Sequence, residues 1–507
     1  MLFNSYEFLF LFLPVTLAGF FVLGSTSFRF AALWLALASI VFYGFWNPKF
    51  VSLLLASIVT NFAFGVAINR RRAVGRTNSL LAVAVCINLL VLFYFKYANF
   101  FVENLNSLFG AQIHLATIVL PLGISFFTFT QIAFLVDTHR GKADEADLIN
   151  YLLFVTFFPH LIAGPVLHHS QMMPQFSKSS IYRWNSSDVS AGLAIFVLGL
   201  AKKVLIADSL SEFSSPVFTA AAQGEQLQFI EAWVGALAYS LQLYFDFSGY
   251  SDMAVGLARM FGIHIPINFN SPYKAGNIIE FWRRWHITLS NFLRDYLYVP
   301  LGGNRRGTAR RYVNLFVTMV LGGLWHGANW TFVLWGALHG ALLMANHALH
   351  ALGLRFDRVG GAWKMPLGVL ATAFTFLTVV VGWVFFRADS VGSAMAMLHA
   401  MVIGHGVSLP PELASRLPNV FADKGFFPVT RIAGSTALPL IGACLAVVFL
   451  MPNSQELILE PRQKWTQLAF RRADGVLGLR AGVTLGCILA LSIWSLTRAS
   501  EFLYFQF

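Results

Sequence analysis

Charged side chains are scarce in this chain. Asp, Glu, Lys and Arg make up only 11% of its 507 residues, whereas hydrophobic residues make up 57%. A water-soluble chain of this length needs far more polar surface to cover its core. The shortage of charge therefore excludes a soluble globular protein and predicts a chain embedded in a lipid bilayer.

Cysteine is rarer still, and only Cys86, Cys444 and Cys487 occur, each inside an apolar run. Three such thiols cannot form a disulfide framework, and no Cys-x-x-Cys pair is present to bind a metal. No HxH or HxxxH pattern accompanies the histidines of the central region, so we predict no metal site. The cysteines are interpreted as small buried hydrophobic side chains.

Acidic residues are also few, with 23 against 35 basic residues and a net charge of +12. The basic residues cluster between apolar runs, for example at 70–72, 202–203, 305–306 and 310–311. This is the positive-inside pattern of membrane proteins. We therefore expect contact with anionic lipid head groups and not with nucleic acid, and we place residues 69–76 on the cytoplasmic side.

Long apolar runs are abundant, and each is a candidate membrane-spanning helix. They predict an all-α polytopic membrane protein with roughly a dozen spans plus re-entrant helices. The runs are Tyr6–Leu23, Phe30–Trp46, Phe50–Ile68, Leu80–Phe95, Leu115–Val136, Tyr151–Leu167, Leu193–Ile206, Ile230–Tyr244, Trp330–Leu349, Leu367–Phe385, Leu438–Leu450 and Ala481–Leu496.

We interpret residues 1–507 as one membrane-embedded domain with three regions. Residues 1–110 form an N-terminal helical layer, residues 111–350 carry most of the polar groups within apolar runs, and residues 351–507 add C-terminal spans. The proline-rich stretch Gly404–Arg431 should be irregular and not one helix.

A histidine between two apolar runs is the strongest functional signal. His326 follows Tyr312–Leu324 and precedes Trp330–Leu349. It lies 15 residues after Arg311, or about 22 Å along a helix, beyond the middle of a bilayer core of roughly 30 Å. Ionisable groups at that depth are functional candidates, although a packed structural histidine is the alternative. The small residues around it are Gly322, Gly323, Gly327 and Ala328, which permit close helix packing or a substrate channel, and Asn329 is a candidate helix cap.

A charged and aromatic block covers Ser271–Arg311. It is too charged to cross lipid and too aromatic for a plain loop, which favours an amphipathic, partly re-entrant helix over residues 280–297. In that helix Trp282 and His286 share one face, while Arg283 and Arg294 lie elsewhere and could meet an anionic head group or a phosphorylated donor. A basic helix that only orients the protein in lipid, with a structural His286, is the alternative.

Carboxylates also occur within an apolar run. Gln242 and Asp246 share a helix face, and Asp252 follows a break predicted at residues 248–251. Such groups either join neighbouring helices by hydrogen bonds or line an active site.

The chain contains four long motifs in this order: Tyr244–Asp252, Phe281–His286, Arg294–Arg305 and Gly323–Ala328. Together they resemble the membrane-bound O-acyltransferase family, most closely the bacterial branch typified by the alginate O-acetylation membrane subunit. The resemblance covers nearly the whole chain. It implies a helical bundle around a transmembrane tunnel and transfer of an acyl group from a thioester to a hydroxyl.

The resemblance also implies roles for particular residues. The near-invariant histidine of the family corresponds to His326 and its second important histidine to His286. A neutral imidazole can act as the base that activates a hydroxyl, so we hypothesise that His326 does so. The candidates for donor or substrate contact are Arg283, Arg284, Arg294, Trp325 and Asp246. No cofactor is expected to be tightly bound, and the donor substrate is expected to be acetyl-CoA or an acylated carrier.

The same resemblance implies a bacterial inner-membrane location and a polysaccharide export complex. Its extracytoplasmic SGNH-hydrolase-like partner proteins would acetylate an exported polymer such as alginate or cellulose. Three alternatives stay open: D-alanyl transfer to teichoic acid, a transporter whose histidines relay protons, and a scaffold without catalysis.

Overall fold

The structure is a computed structural model, and it describes the chain except residues 74, 76, 117, 145–146, 354–363, 405–406, 410–425, 429–435, 460–477, 499–501 and 504–507. The predicted all-α polytopic class is confirmed. Within the described residues the α-helices are α1 (Leu13–Gly24), α2 (Phe28–Gly44), α3 (Lys49–Arg72), α4 (Asn78–Leu92), α5 (Ala98–Phe109), α6 (Ile124–His139), α7 (Leu148–Thr156), α8 (Phe158–Leu161), α9 (His169–Phe176), α10 (Ser186–Ala201), α11 (Asp208–Ala222), α12 (Phe229–Met260), α13 (Ile278–Arg284), α14 (Ile287–Leu293), α15 (Thr308–His326), α16 (Trp330–Ala351), α17 (Lys364–Arg387), α18 (Val391–Val402), α19 (Ala437–Leu450), α20 (Ser454–Ile458) and α21 (Leu479–Trp494).

Short segments of other geometry extend or join these helices. Among the described residues, four π-helical turns cover Phe8–Phe12, Phe93–Tyr97, Lys202–Ala207 and Arg294–Tyr298, and three 3₁₀ turns cover Ser179–Tyr182, Pro272–Lys274 and Ser495–Arg498. Two strands, β1 (Val407–Leu409) and β2 (Phe426–Pro428), pair in parallel with Val407 opposite Phe426. Both strands fall within the predicted irregular stretch, whose other residues after 409 and before 426 lie outside the described ones.

Membrane-spanning length is clearest in five helices of the described residues. These are Lys49–Arg72, Asn78–Phe109, Ser186–Ala222, Trp330–Ala351 and Met365–Arg387, and five further apolar helices are shorter, at 10–17 residues. Large apolar side chains such as Phe10, Leu90 and Phe374 are exposed, as lipid contact requires. Cys86 and Cys487 are exposed as well, so the prediction of three buried cysteines is correct only for Cys444.

Two predicted spans are interrupted. In the run Leu115–Val136 the helix begins only at Ile124, after Gly123 with a φ of 72°. In the run Tyr151–Leu167 the helix ends at Thr156, because Pro159 cannot donate the backbone hydrogen bond that would continue α7. Proline and glycine thus override the apolar character of both runs.

The chain divides into two compact units. The first comprises Met1–Ala201, Tyr250–Ile267 and Ser454–Phe505, and the second comprises Lys202–Gly249 and Asn268–Asn453. Helix α12 contributes residues to both units and runs without interruption from Phe229 to Met260. The break predicted at residues 248–251 is therefore wrong, because burial of this stretch on all sides outweighs the weak helix propensity of Ser and Gly.

Within the first unit, the Asp252 side chain links two helices by hydrogen bonds. Its carboxylate accepts hydrogen bonds from the hydroxyl of Ser454 and from Nε2 of Gln455, the latter at 2.6 Å. These contacts join α12 to the start of α20, as buried polar groups do when they link helices.

Candidate active site

The hairpin of α15 and α16 carries His326 at its turn. His326 is the last residue of α15, Gly327 is extended, and the Asn329 side chain accepts from the Thr331 N–H at 3.1 Å to cap α16. The predicted helix up to His326 and the predicted cap are both confirmed.

Glycines allow the two helices of this hairpin to approach closely. A Cβ at Gly323 would collide with the carbonyl oxygen of Phe332 and lie 3.1 Å from Cα of Gly336. Backbone atoms cannot yield as a flexible side chain can. The close approach therefore fixes the position of His326, one helical turn after Gly323.

Gly323→Ala is expected to destabilise the protein by about 1–3 kcal/mol, as overpacking does. The matched control is Gly442→Ala, because no atom lies within 4 Å of a Cβ there and alanine has the higher helix propensity. Thermal unfolding of both variants in detergent measures the difference. A Gly323→Ala protein as stable as Gly442→Ala would contradict this packing of the hairpin.

Aromatic rings surround His326 within the second unit. Its ring centroid lies 5.0 Å from that of Trp325, 5.1 Å from that of Trp335 and 5.2 Å from that of Phe386. The side chain is only 4% exposed. The imidazole is thus held in a water-poor setting, where electrostatic and proton-transfer effects are stronger than in water.

His286 lies at a break between two short helices. Helix α13 ends at Arg284, and His286 precedes α14 with a φ of 43°, an uncommon value for a residue other than glycine. The single helix predicted over residues 280–297 is therefore wrong, and Trp282 and His286 do not share a helix face. The break is stabilised by the segment 268–270, since Asn270 N–H donates to Arg284 O and Ile287 N–H donates to Asn268 O, each at 2.9 Å.

The Asn268 side chain defines the hydrogen-bonding state of His286. Its Oδ1 accepts from the Thr288 backbone N–H at 3.2 Å and from the Thr288 hydroxyl at 3.0 Å. The same oxygen lies 3.1 Å from Nδ1 of His286, so in the neutral ring Nδ1 must carry the hydrogen. The lone pair of the neutral imidazole is then on Nε2.

The two histidines lie together although 40 residues separate them in the sequence. Their ring centroids are 6.4 Å apart, and the His286 ring is also 6.4 Å from Trp325. His286 is fully buried, and Phe247 of α12 packs against it edge-on at 4.8 Å. Rings this close can contact one substrate molecule at the same time, since two hydrogen bonds placed end to end span roughly 5 Å.

The three candidate arginines differ in their surroundings. Arg284 donates to Glu280 Oε1 at 2.7 Å and to Asn270 O at 3.2 Å, so it supports α13. Arg294 binds both carboxylate oxygens of Asp295, at 2.7 and 3.0 Å, and these hydrogen bonds raise the pKa of the guanidinium. Arg283 is exposed.

Asp246 lies in a buried ionic cluster. Its Oδ1 is 2.9 Å from Nζ of Lys203, which is also 2.7 Å from Oδ1 of Asp208. Lys203 is only 3% exposed and belongs to a π-helical turn, so its predicted place in an inter-helix basic loop is wrong. The neighbouring Phe247 is the residue of this stretch whose ring contacts His286.

The sequence patterns did not single out Asn268 or Phe386. They also did not predict which residues contact Trp335. Asn268 lies 18 residues before His286 in an unremarkable stretch, and only the tertiary structure joins them. Among the residues that the structure describes, no three His, Cys, Asp or Glu side chains form a group that could hold a metal ion.

Comparisons with known proteins relate the whole chain to acyl-transfer proteins. Residues 40–353 match the model of the family described as MBOAT, membrane-bound O-acyltransferase. A peptidoglycan O-acetyltransferase of Helicobacter pylori is 40% identical, over 100% of this chain and 98% of its own. A probable alginate O-acetylase of Azotobacter vinelandii is 41% identical over 100% of both chains. A teichoic acid D-alanyltransferase of Bacillus subtilis is 26% identical, over 52% of this chain and 68% of its own.

Proposed function

We propose that this chain, which belongs to the membrane-bound O-acyltransferase family, moves acetyl groups from a cytoplasmic thioester to hydroxyls of a polysaccharide. The observation that carries the proposal is the pairing of His326 and His286, 6.4 Å apart in a buried aromatic setting. Acyl transfer to a hydroxyl needs a positioned base in such a setting.

The identity and the coverage of the alignments favour acetyl over D-alanyl as the transferred group. The relatives named as O-acetyl-transferring proteins align over the full chain at 40–41% identity, whereas the D-alanyltransferase aligns over 52% of it at 26%. The two full-length relatives carry the names of different polymers, peptidoglycan and alginate. The proposal is therefore made for a polysaccharide hydroxyl and not for one polymer.

The proposed reaction needs one base that takes the proton of the acceptor hydroxyl and later returns it to the leaving thiolate. The acceptor oxygen attacks the thioester carbonyl carbon, and His326 takes the hydroxyl proton as the new C–O bond forms. The C–S bond then breaks, and the imidazolium returns the proton to the thiolate. The carbonyl end of α15 favours this transient positive charge.

His286 is proposed to position the reacting oxygen. Oδ1 of Asn268 accepts a hydrogen bond from the Nδ1–H of His286, so Nε2 of His286 has a lone pair that can accept a hydrogen bond. While the reacting hydroxyl donates to His326, a second donor of the substrate, such as a neighbouring sugar hydroxyl, can donate to this lone pair, so His286 contributes mainly through geometry.

The donor is proposed to be acetyl-CoA or an acetylated carrier, with no tightly bound cofactor. Exposed Arg283 directly follows Trp282, whose ring centroid lies 5.2 Å from that of His339 on α16, so it marks a basic position beside α16. A phosphate of the donor would bind well to such guanidinium groups. Arg284 and Arg294 already have carboxylate partners, which makes Arg283 the strongest of the three candidates.

The location is proposed to be the bacterial inner membrane, with the donor reaching the protein from the cytoplasm. Acetyl groups would pass to the polymer with the help of extracytoplasmic SGNH-hydrolase-like partners of an export complex. A membrane-embedded enzyme at this boundary accounts for a buried reaction centre in a chain so poor in charge.

Mass analysis of cell-surface polymers tests the function directly. Cells that lack this chain are expected to lose O-acetyl groups from one polysaccharide, and the wild-type gene should restore them. If D-alanyl esters are lost instead, the transferred group is D-alanyl and not acetyl. Unchanged esters together with a lost polymer would favour transport, and a fully restored ester level with both histidines replaced would favour a scaffold.

A further inference from the structure

An open cavity lies beside the turn between α1 and α2 in the first unit. Its volume is about 720 Å³, within the range of about 300–1,000 Å³ typical of small-molecule sites. Arg29 and Arg183 line it from two separate chain segments, and neither guanidinium has an ion-pair partner among the described residues. By contrast, Arg259 of the same unit donates to the carboxylate of Asp188 at 3.1 Å. The cavity thus carries two positive charges that the described residues do not neutralise.

Aromatic contacts hold the two walls of this cavity together. The ring of Tyr182 stacks on that of Phe28 with centroids 4.9 Å apart. Trp184 packs edge-on against Phe21 at 5.3 Å. Because both of its neighbours in the sequence are packed in this way, Arg183 is held on the cavity wall.

The start of α2 adds to the positive potential of the cavity. Helix α2 begins at Phe28, and the side chain of the preceding Ser27 makes no capping hydrogen bond. The first N–H groups of this 17-residue helix have no intrahelical acceptor. Ser27, Phe28 and Arg29 all line the cavity, so the positive end of the helix dipole lies beside the two arginines. Guanidinium groups and this helix end both favour an anionic group such as a phosphate.

The cavity lies on the side of the membrane where anionic lipid is expected. Helix α2 ends at Gly44 and α3 begins at Lys49, so the two run in opposite directions and the start of α2 shares a side with the end of α3. That end carries Arg70–Arg72, within the segment predicted to be cytoplasmic. Exposed Trp184 is typical of the bilayer interface, and exposed Phe30 offers contact with lipid. The negative surface potential of the cytoplasmic leaflet attracts basic positions of this kind.

We propose that this cavity binds the head group of an anionic phospholipid of the cytoplasmic leaflet through its phosphodiester group. Arg29 and Arg183 bind the phosphate oxygens, and the exposed rings of Trp184 and Phe28 cover the glycerol and the first methylene groups of the acyl chains. A free phosphate ion would fill only a small part of the 720 Å³ and would bring nothing apolar to these rings. Lipid binding here is independent of the reaction proposed for His326.

Titration of the purified full-length protein with short-chain lipids tests this assignment. Dioctanoyl-phosphatidylglycerol is added to the protein in a non-ionic detergent, and binding is measured by isothermal titration calorimetry. Dioctanoyl-phosphatidylcholine and inorganic phosphate are the comparison ligands, and phosphatidylglycerol should bind saturably with a lower Kd than either. Arg29→Gln and Arg183→Gln should each raise this Kd about fivefold, the contribution of one basic side chain at an anionic lipid surface, and the double variant about 25-fold.

The matched control is Arg71→Gln. Arg71 is exposed near the end of α3 and its replacement removes the same charge, but it does not line the cavity, so the Kd for phosphatidylglycerol should stay that of the wild type. Thermal unfolding checks that each variant is folded, and the lipid should raise the Tm of the wild type but not that of the double variant.

An unchanged Kd in the double variant would overturn the lipid site, and an equal rise in Arg71→Gln would show attraction by overall charge instead. Phosphatidylcholine bound as tightly as phosphatidylglycerol would overturn the need for an anionic head group. Inorganic phosphate bound as tightly would assign the cavity to a soluble phosphate compound. If Arg183→Gln does not fold, the comparison of Arg29→Gln with Arg71→Gln decides. Acyl transfer is not measured in this experiment, so none of these results bears on the proposed function.

Discussion

His326→Gln is expected to reduce acetyl transfer by about 10²–10⁴-fold or more, the usual contribution of a general base. Glutamine keeps polar volume among Trp325, Trp335 and Phe386 but cannot accept a proton at neutral pH. The fold should persist, because the hairpin is held by its glycine contacts and not by the imidazole. The measurement is kcat for thiol release together with the O-acetyl content of the polymer.

The control for this variant is His114→Gln, an exposed histidine of the first unit, which should retain full activity. A stably folded His326→Gln protein with wild-type kcat would show that His326 takes no part in the reaction. The double variant His326→Gln/His286→Gln should lose little more than His326→Gln alone. The effects of groups that act in one reaction step are not additive in free energy, so a multiplicative loss of kcat would show that the two histidines act separately.

Local sequence signals were sufficient for the hairpin. An apolar run that ends at His326, small residues after it and Asn329 before the next run predicted two helices and a cap, and the structure has all three. These features depend on hydropathy, helix propensity and capping, which act over a few residues.

Local signals failed where distant residues compete for the backbone. The spacing of residues 280–297 fits one helix, but hydrogen bonds from the segment 268–270 interrupt it at His286. The partnership of Asn268 with His286, and that of Lys203 with Asp246, have no signature in the sequence because helix packing creates them. The sequence thus singled out both histidines as candidates but did not predict the geometry that brings their rings to 6.4 Å.

Lys203→Met is expected to cause the largest loss of folded protein. The Lys203 ammonium lies 2.7 and 2.9 Å from the carboxylates of Asp208 and Asp246, and all three side chains are at most 7% exposed. Removal of the cation leaves two carboxylates in a low-dielectric interior, and breaking a buried ion pair costs about 3–5 kcal/mol. Thermal unfolding and the yield of monodisperse protein in detergent measure the loss, and exposed Lys49→Met serves as the control.

The rescue variant Lys203→Met/Asp208→Asn/Asp246→Asn also shows whether Asp246 binds substrate. Replacement of a whole buried ionic cluster by neutral groups is often tolerated, so the triple variant should recover most of the stability lost in Lys203→Met. If Asp246 acts only through Lys203, the recovered protein will have a donor KM close to that of the wild type. Recovered stability with a large rise in that KM would assign Asp246 to the donor site, and a Lys203→Met protein as stable as the wild type would show that the cluster is not needed for folding.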